Sequence, residues 1–419
     1  MKKIFYSLIA VGIFLSFGFK AYYPIDGYEA TGIARILQLD RMERDSIKNK
    51  RIPYGAHLRL NQIKLNLQSR SNDSVMELLK VDPDFEKKFE SLFPGSGYSA
   101  TVLDMTNPDD LKYAEFREKV GYQPGSVGKI AVITALFTEL EKLCPDSWEQ
   151  RIYYLKSTKV KSRYWGLGDH HTIPIYDIEK DKLTKRRVIA SDEFSLYEWA
   201  DHMLSVSNNG AASIVWREAL LMAGLGQEYF NLTEESAEQW FKDTPRDTLS
   251  ALANRVVNQP LRDLGILKDE WRLGSFFTAA ANKYVSDIGG STGTPIGLMK
   301  YLVQLEQGKV VDELSSLEIK RLMYMTDRRI RYARSKELDS AAVYFKSGSF
   351  YKCDRKKDPN CAEYAGNVYN YMNSVIIVEH PDEGKKYIVC LMTNVLNKNS
   401  AGAHMYLASR IDNLIQDRD

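Results

Sequence analysis

Apolar residues recur at three- and four-residue spacing through the middle of this chain, and run together in short stretches near its two ends. Ile130, Ile133, Leu136, Phe137 and Leu140 mark a buried helix that follows the turn Gln123-Pro124-Gly125 and stops at Cys144-Pro145. Residues 195–204 and 211–223 read as two helices separated by a turn, and 295–307, 317–325 and 404–415 as three more. Strand-like runs occupy 97–105, 341–349, 374–379 and 386–393, the last two paired through Pro381-Asp382-Glu383-Gly384. Residues 153–192 are polar and aromatic and read as an insertion or lid, 328–336 as a basic loop, and 22–80 as a mixed leader with one helix around 31–44.

Strands thus stand before Ser126 and after Ala341, with helices between. That order predicts an α+β fold, in which an antiparallel sheet flanked by helices is interrupted by an all-helical domain. The expected divisions are 1–21 as signal peptide or anchor, 22–84 as an N-terminal extension, 85–120 with 335–419 as the sheet domain, and 121–334 as the helical domain.

Composition narrows the function. A 419-residue chain with 44% apolar and 27% charged residues has the make-up of a globular protein. Fifty-seven basic residues against 55 acidic leave +2, which gives no reason to expect nucleic acid as a partner. Lys2 and Lys3 precede an apolar run from Ile4 to Phe19, followed by Lys20-Ala21. This is the pattern of an export signal, with a periplasmic or cell-envelope destination. Phe19 is a poor residue before a cleavage site, so an uncleaved membrane anchor is the alternative. In an oxidising compartment Cys353 and Cys361 could pair across the polar loop between them, whereas Cys144 and Cys390 sit in apolar contexts. No cysteine–histidine spacing suggests zinc, His170 and His171 have no visible partner cluster, and neither metal nor cofactor is expected.

The candidate chemistry begins at Ser126-Val127-Gly128-Lys129. On a helix, side chains three apart are neighbours, and an amine beside a hydroxyl can activate it as a nucleophile when burial lowers the amine's pKa. Alone the pattern is weak, because Ser349 and Lys352 repeat it and a capping serine with a solvated lysine looks the same. Two further motifs strengthen it. Ser207-Asn208-Asn209 lies in the turn between two helices, and Lys346-Ser347-Gly348 lies on a strand.

Helix start, interhelical turn and inner strand, in that order, resemble the penicillin-recognising serine hydrolases, with class A β-lactamases and D-Ala-D-Ala peptidases nearest. The resemblance runs from about Tyr98 to the C-terminus. It implies Ser126 as nucleophile, Lys129 as its proton acceptor, Ser207 as proton relay to the leaving nitrogen, and Asn209 as an orienting group. It further implies that Lys346, Ser347 and Ser349 hold a substrate carboxylate, that Gly348 lets the substrate backbone approach, and that the Ser126 and Ser349 N–H groups form an oxyanion hole. The substrate would be a small amide, a β-lactam or a peptidoglycan-like peptide.

The intervals between motifs are longer than in compact class A enzymes, which places insertions at 153–192 and 231–271. No glutamate stands between Gly274 and Thr294, where the resemblance leads one to expect a deacylating base. Glu270 is the nearest upstream carboxylate and Asp287 the one inside. Without such a base a peptidase, penicillin-binding protein or esterase with slow deacylation is the alternative, and a non-catalytic envelope binding protein a further one. Gly289-Gly290-Ser291-Thr292-Gly293 also matches Gly-x-Ser-x-Gly, with His380 or His404 as partner for Ser291, but the parallel βαβ units that motif needs are not visible.

Overall fold

A computed structural model describes residues 23–44, 55–286, 289–324 and 329–417. The proposed signal or anchor and Asp287 lie outside the described residues. No described helix is long and apolar enough to cross a membrane.

Five strands form one antiparallel sheet: β1 (Tyr98–Asp104), β2 (Lys112–Phe116), β3 (Ala342–Lys352), β4 (Tyr369–Glu379) and β5 (Lys386–Asn394). Their spatial order is β2-β1-β5-β4-β3, so the N-terminal strands and the C-terminal ones close a single sheet around the helical segment. β4 extends five residues ahead of its predicted start, because Asn370 and Asn373 interrupt the apolar pattern; their side-chain N–H groups donate to the Val395 and Gln123 carbonyls. β2 has no run of apolar residues and was not expected; it pairs with β1 as a short edge strand.

The sheet is apolar on both faces. Val343, Phe345, Ile376, Val378, Val389 and Leu391 pack on one side with Leu407, Ile411 and Ile415 of the C-terminal helix α1 (Ser400–Gln416). Ala342, Tyr344, Val375, Ile377, Ile388 and Cys390 face the helical segment. Alternation along β3 therefore puts Lys346 and Gly348 on the helical side and Ser347 and Ser349 on the other.

In the helical segment Ile130, Ile133, Leu136, Phe137 and Leu140 are fully buried on the helix Lys129–Leu143. A Leu196–Leu204 helix, capped by Ser195 with Glu198 in a reciprocal capping box, leads to the turn at Ser207. The Asn209–Leu225 helix follows, with Asn208 as its cap. Residues 231–271, read as an insertion, form two helices, Glu234–Asp243 and Arg246–Asp263. Residues 153–192 begin as helix (Trp148–Ser157), and the remainder holds the hairpin Ile173–Asp177 with Lys182–Arg186.

Candidate active site

Three chain segments converge at the inner edge of β3. Ser126 sits in a tight helical turn, Gly125–Gly128, that feeds directly into the buried helix beginning at Lys129. This turn lies against β3. A side chain on Gly348 would come within 2.0 Å of the Pro124 carbonyl oxygen and 2.8 Å of the Ser126 nitrogen. Gly125 has a φ of +55° and its Cα faces the Ser349 nitrogen, where a Cβ would stand at 3.1 Å. Gly348 is thus needed for contact between the strand and the Ser126 turn, a constraint separate from the expected approach of a substrate backbone. The same contact brings the Ser126 and Ser349 backbone nitrogens to adjoining segments.

Lys129 has no exposed surface and Lys346 is 3% exposed. The Lys129 Nζ lies 3.1 Å from Ser126 Oγ, 2.7 Å from Asn209 Oδ1, 2.6 Å from the Ser207 carbonyl and 3.2 Å from Ser207 Oγ. The Lys346 Nζ lies 2.8 Å from the same Ser207 Oγ. Ser207 occupies left-handed backbone at φ +59°, a conformation uncommon for serine, and this aims both its carbonyl and its hydroxyl at the amines.

Burial lowers the Lys129 amine to about 7, with the Asp169 carboxylate opposing that fall. Burial also pushes Lys346 well below the ordinary lysine range, and the positive charges of Lys129 and Arg331 push in the same direction.

Two groups at this site were not singled out in the sequence. Arg331 lies in the segment read as a basic loop. Its guanidinium donates to Ser347 Oγ at 2.7 Å and Ser349 Oγ at 2.9 Å, and it stacks over Tyr364 at 5.1 Å. The expected carboxylate-binding hydroxyls are therefore joined to a cation. Asp169 accepts from the Asn209 backbone N–H at 2.6 Å and its Nδ2 at 3.2 Å, and lies 2.8 Å from His171 Nδ1. His171 thus has a partner, whereas His170 is largely exposed. No local motif marks either Arg331 or Asp169; only tertiary contact brings them in. Among the described residues, Asp169, His170 and His171 have donor atoms within 4.8 Å of one another, but both Asp169 oxygens are already taken by Asn209 and His171.

Glu270, the upstream candidate for a deacylating base, is engaged elsewhere in the fold. Its carboxylate is held by Lys300 Nζ at 2.6 Å and the Leu267 N–H at 2.8 Å. The wall beside the Ser126 turn is apolar. Leu273 Cδ2 would touch any Cβ placed on Gly128, and the Phe277 ring lies 5.2 Å from Lys129 Nζ. Ser291 binds the Gly274 N–H, and Thr292–Gly293 pairs with Trp271–Arg272. His380 is bonded to Asp412, and His404 sits between Ser374 and Thr393. The described structure therefore does not assemble Ser291 with either histidine into a nucleophile–base pair.

An antiparallel sheet interrupted by helices, with a serine, two amines and an interhelical Ser-x-Asn turn at the junction, defines the class of penicillin-recognising serine hydrolases. The chain belongs to the β-lactamase enzyme family, whose profile matches residues 84–414. Among solved structures, a class A β-lactamase from Bacteroides cellulosilyticus is 15% identical, with 83% of this chain and 98% of that one covered and a TM-score of 0.50. The TLA-3 extended-spectrum β-lactamase is 13% identical over 79% of this chain and 98% of its own, with a TM-score of 0.51. At these identities the likeness is one of fold. No curated protein matches.

Proposed function

We propose that the protein is an exported serine acyltransferase or hydrolase that opens an amide, in a β-lactam or a peptidoglycan-like peptide, through an ester on Ser126. The observation that carries this reading is the Lys129 amine, buried, lowered to about 7 and 3.1 Å from Ser126 Oγ. A neutral Lys129 takes the hydroxyl proton as Oγ attacks the carbonyl carbon. Ser207 gives its proton to the departing nitrogen as the C–N bond breaks, and the Lys129 ammonium restores it. The Ser126 and Ser349 N–H groups would receive the oxyanion, each such donor contributing about 3–4 kcal/mol. Arg331, with Ser347 and Ser349, suits a substrate carboxylate.

The apolar wall of Leu273 and Phe277 favours slow hydrolysis of that ester, and so a penicillin-binding or peptidase-like enzyme over a fast β-lactamase. The export reading rests on the N-terminal pattern of Lys2, Lys3 and the apolar run after them, and on the Cys353–Cys361 disulfide, a bond that persists in oxidising compartments.

The test is nitrocefin turnover combined with intact-mass measurement after exposure to a penicillin. A persistent adduct on Ser126, absent in Ser126→Ala, with little turnover, is the expected result. Rapid turnover without a trapped adduct would favour an efficient β-lactamase. No adduct from a penicillin or from a serine-reactive phosphonate would favour the non-catalytic envelope protein. Cell fractionation checks the location, and recovery in the cytoplasm would contradict export.

A further inference from the structure

Asn209 has a carboxamide whose two ends do different work. Its Oδ1 accepts from Lys129 Nζ at 2.7 Å. Turned over, the amide would point an NH2 group at that amine and lose the bond. What fixes its direction is Asp169, which receives both the Asn209 backbone N–H and its Nδ2. A carboxylate has acceptors alone, so it tolerates one orientation of the amide.

The Asp169 side chain is itself almost wholly buried, and His171 Nδ1 anchors it at 2.8 and 3.1 Å from its two oxygens. Burial by itself would raise the Asp169 carboxyl; the bonds from His171 and Asn209, with the charge of Lys129, outweigh it and hold the group below its usual range. Around Asp169 the titratable groups are His171, His170 and, across Asn209, Lys129, with Lys346 beyond Ser207.

We propose that Asp169 is a positioning residue for acyl transfer: it locks Asn209 with its oxygen on Lys129 and supplies a carboxylate charge that acts on that buried amine. This rests on the acyl-transfer reading above. The negative charge then comes from the side of the cleft occupied by the Ser207–Asn209 turn.

The test is the rate of Ser126 labelling by a fluorescent penicillin from about pH 5 to pH 9 in the full chain, as wild type, Ser126→Ala, Asp169→Asn and Asp169→Glu, with Tm measured for each. In Asp169→Asn the plateau rate should fall about tenfold or more, as small misplacements of catalytic groups do. Its acid limb should also move to lower pH, because a lost anion makes Lys129 easier to deprotonate. In Asp169→Glu, which keeps the charge and displaces it, the limb should stay near wild type while the plateau falls. If Asp169→Asn proves unfolded by circular dichroism, Asp169→Glu decides alone, and a wild-type rate in it overturns the proposal. A folded Asp169→Asn with an unmoved limb, whether its rate is unchanged or falls with Tm, also overturns it. Absence of label in the wild type, or label retained in Ser126→Ala, instead overturns the acyl-transfer reading and this role with it.

Discussion

Lys346 and Ser207 are 139 residues apart in sequence, yet the lysine Nζ stands 2.8 Å from the serine Oγ. This contact joins the sheet to the helical segment at the point where Lys129 also arrives. Ser207 Oγ therefore lies between two amines, 3.2 Å from one and 2.8 Å from the other. Among the described residues neither amine has a carboxylate bonded to it; burial favours the neutral form of both, and the charges of Lys129 and Arg331 add to that effect on Lys346.

Lys129→Ala should slow acylation of Ser126 by about 10²–10⁴-fold, the usual worth of a positioned general base. In the wild type the rate should rise with pH through about 7, because the protonated amine below that point cannot accept the Ser126 proton. The same shift has a stability consequence. An unfolded lysine titrates near about 10.4, so between about 7 and 10 the unfolded chain binds a proton that the folded chain does not, and Lys129's contribution to stability rises with pH. Stopped-flow acylation against pH checks the first statement; a flat profile from pH 5 to pH 9 would remove Lys129 as the base.

Arg331→Ala should raise KM for substrates bearing a carboxylate by about 10–100-fold, as expected for a lost charge-assisted hydrogen bond, with little change for neutral esters. Lys346→Ala should likewise weaken carboxylated substrates most. Parallel kinetics on a penicillin and a neutral ester separate the outcomes, and equal losses on both would contradict the assignment for either residue.

Gly348→Ala should cost about 1–3 kcal/mol of stability, the range for overpacking, and depress acylation as well. The added methyl would meet the Pro124 carbonyl at 2.0 Å and force the Ser126 turn off the strand. Denaturant melts with a labelling assay would show both effects; wild-type behaviour would mean the turn and strand are not in tight contact.

Replacing Cys353 and Cys361 together by serine should lower stability by about 2–3 kcal/mol on the loop-entropy scale. The bridge closes the β3–β4 loop just before Tyr364, whose ring lies against Arg331 and whose carbonyl accepts from Ser400. The double variant should therefore also raise KM for carboxylated substrates while phosphonate labelling of Ser126 keeps its rate. Unchanged KM would show that the bridge is not needed to hold Tyr364, which also contacts Ser400 and the Tyr351 ring.

Legibility followed the range of the interactions involved. The Ile130 to Leu140 face is legible because its apolar residues recur at helical spacing, and the Ile376 and Val389 strands because they are short continuous apolar runs bounded by turn residues. Edge strand β2 is not, since its partly exposed residues carry no such pattern. At the site, the three motifs were readable as residue types in order. Arg331 was not, because nothing beside it in sequence shows that it faces Ser347 and Ser349. Glu270 looked like a candidate base by proximity in sequence, but Lys300 claims its carboxylate.

By itself the sequence determined the α+β class, the order of its elements and the three short motifs, since periodicity and turn residues act over a few positions. The tertiary structure alone decided that Lys129 and Lys346 share one hydroxyl, that Asp169 orients Asn209, and that Leu273 and Phe277 line the wall where a carboxylate was sought. Those facts depend on segments meeting across tens to hundreds of residues, and on the burial their meeting imposes, which no local pattern encodes.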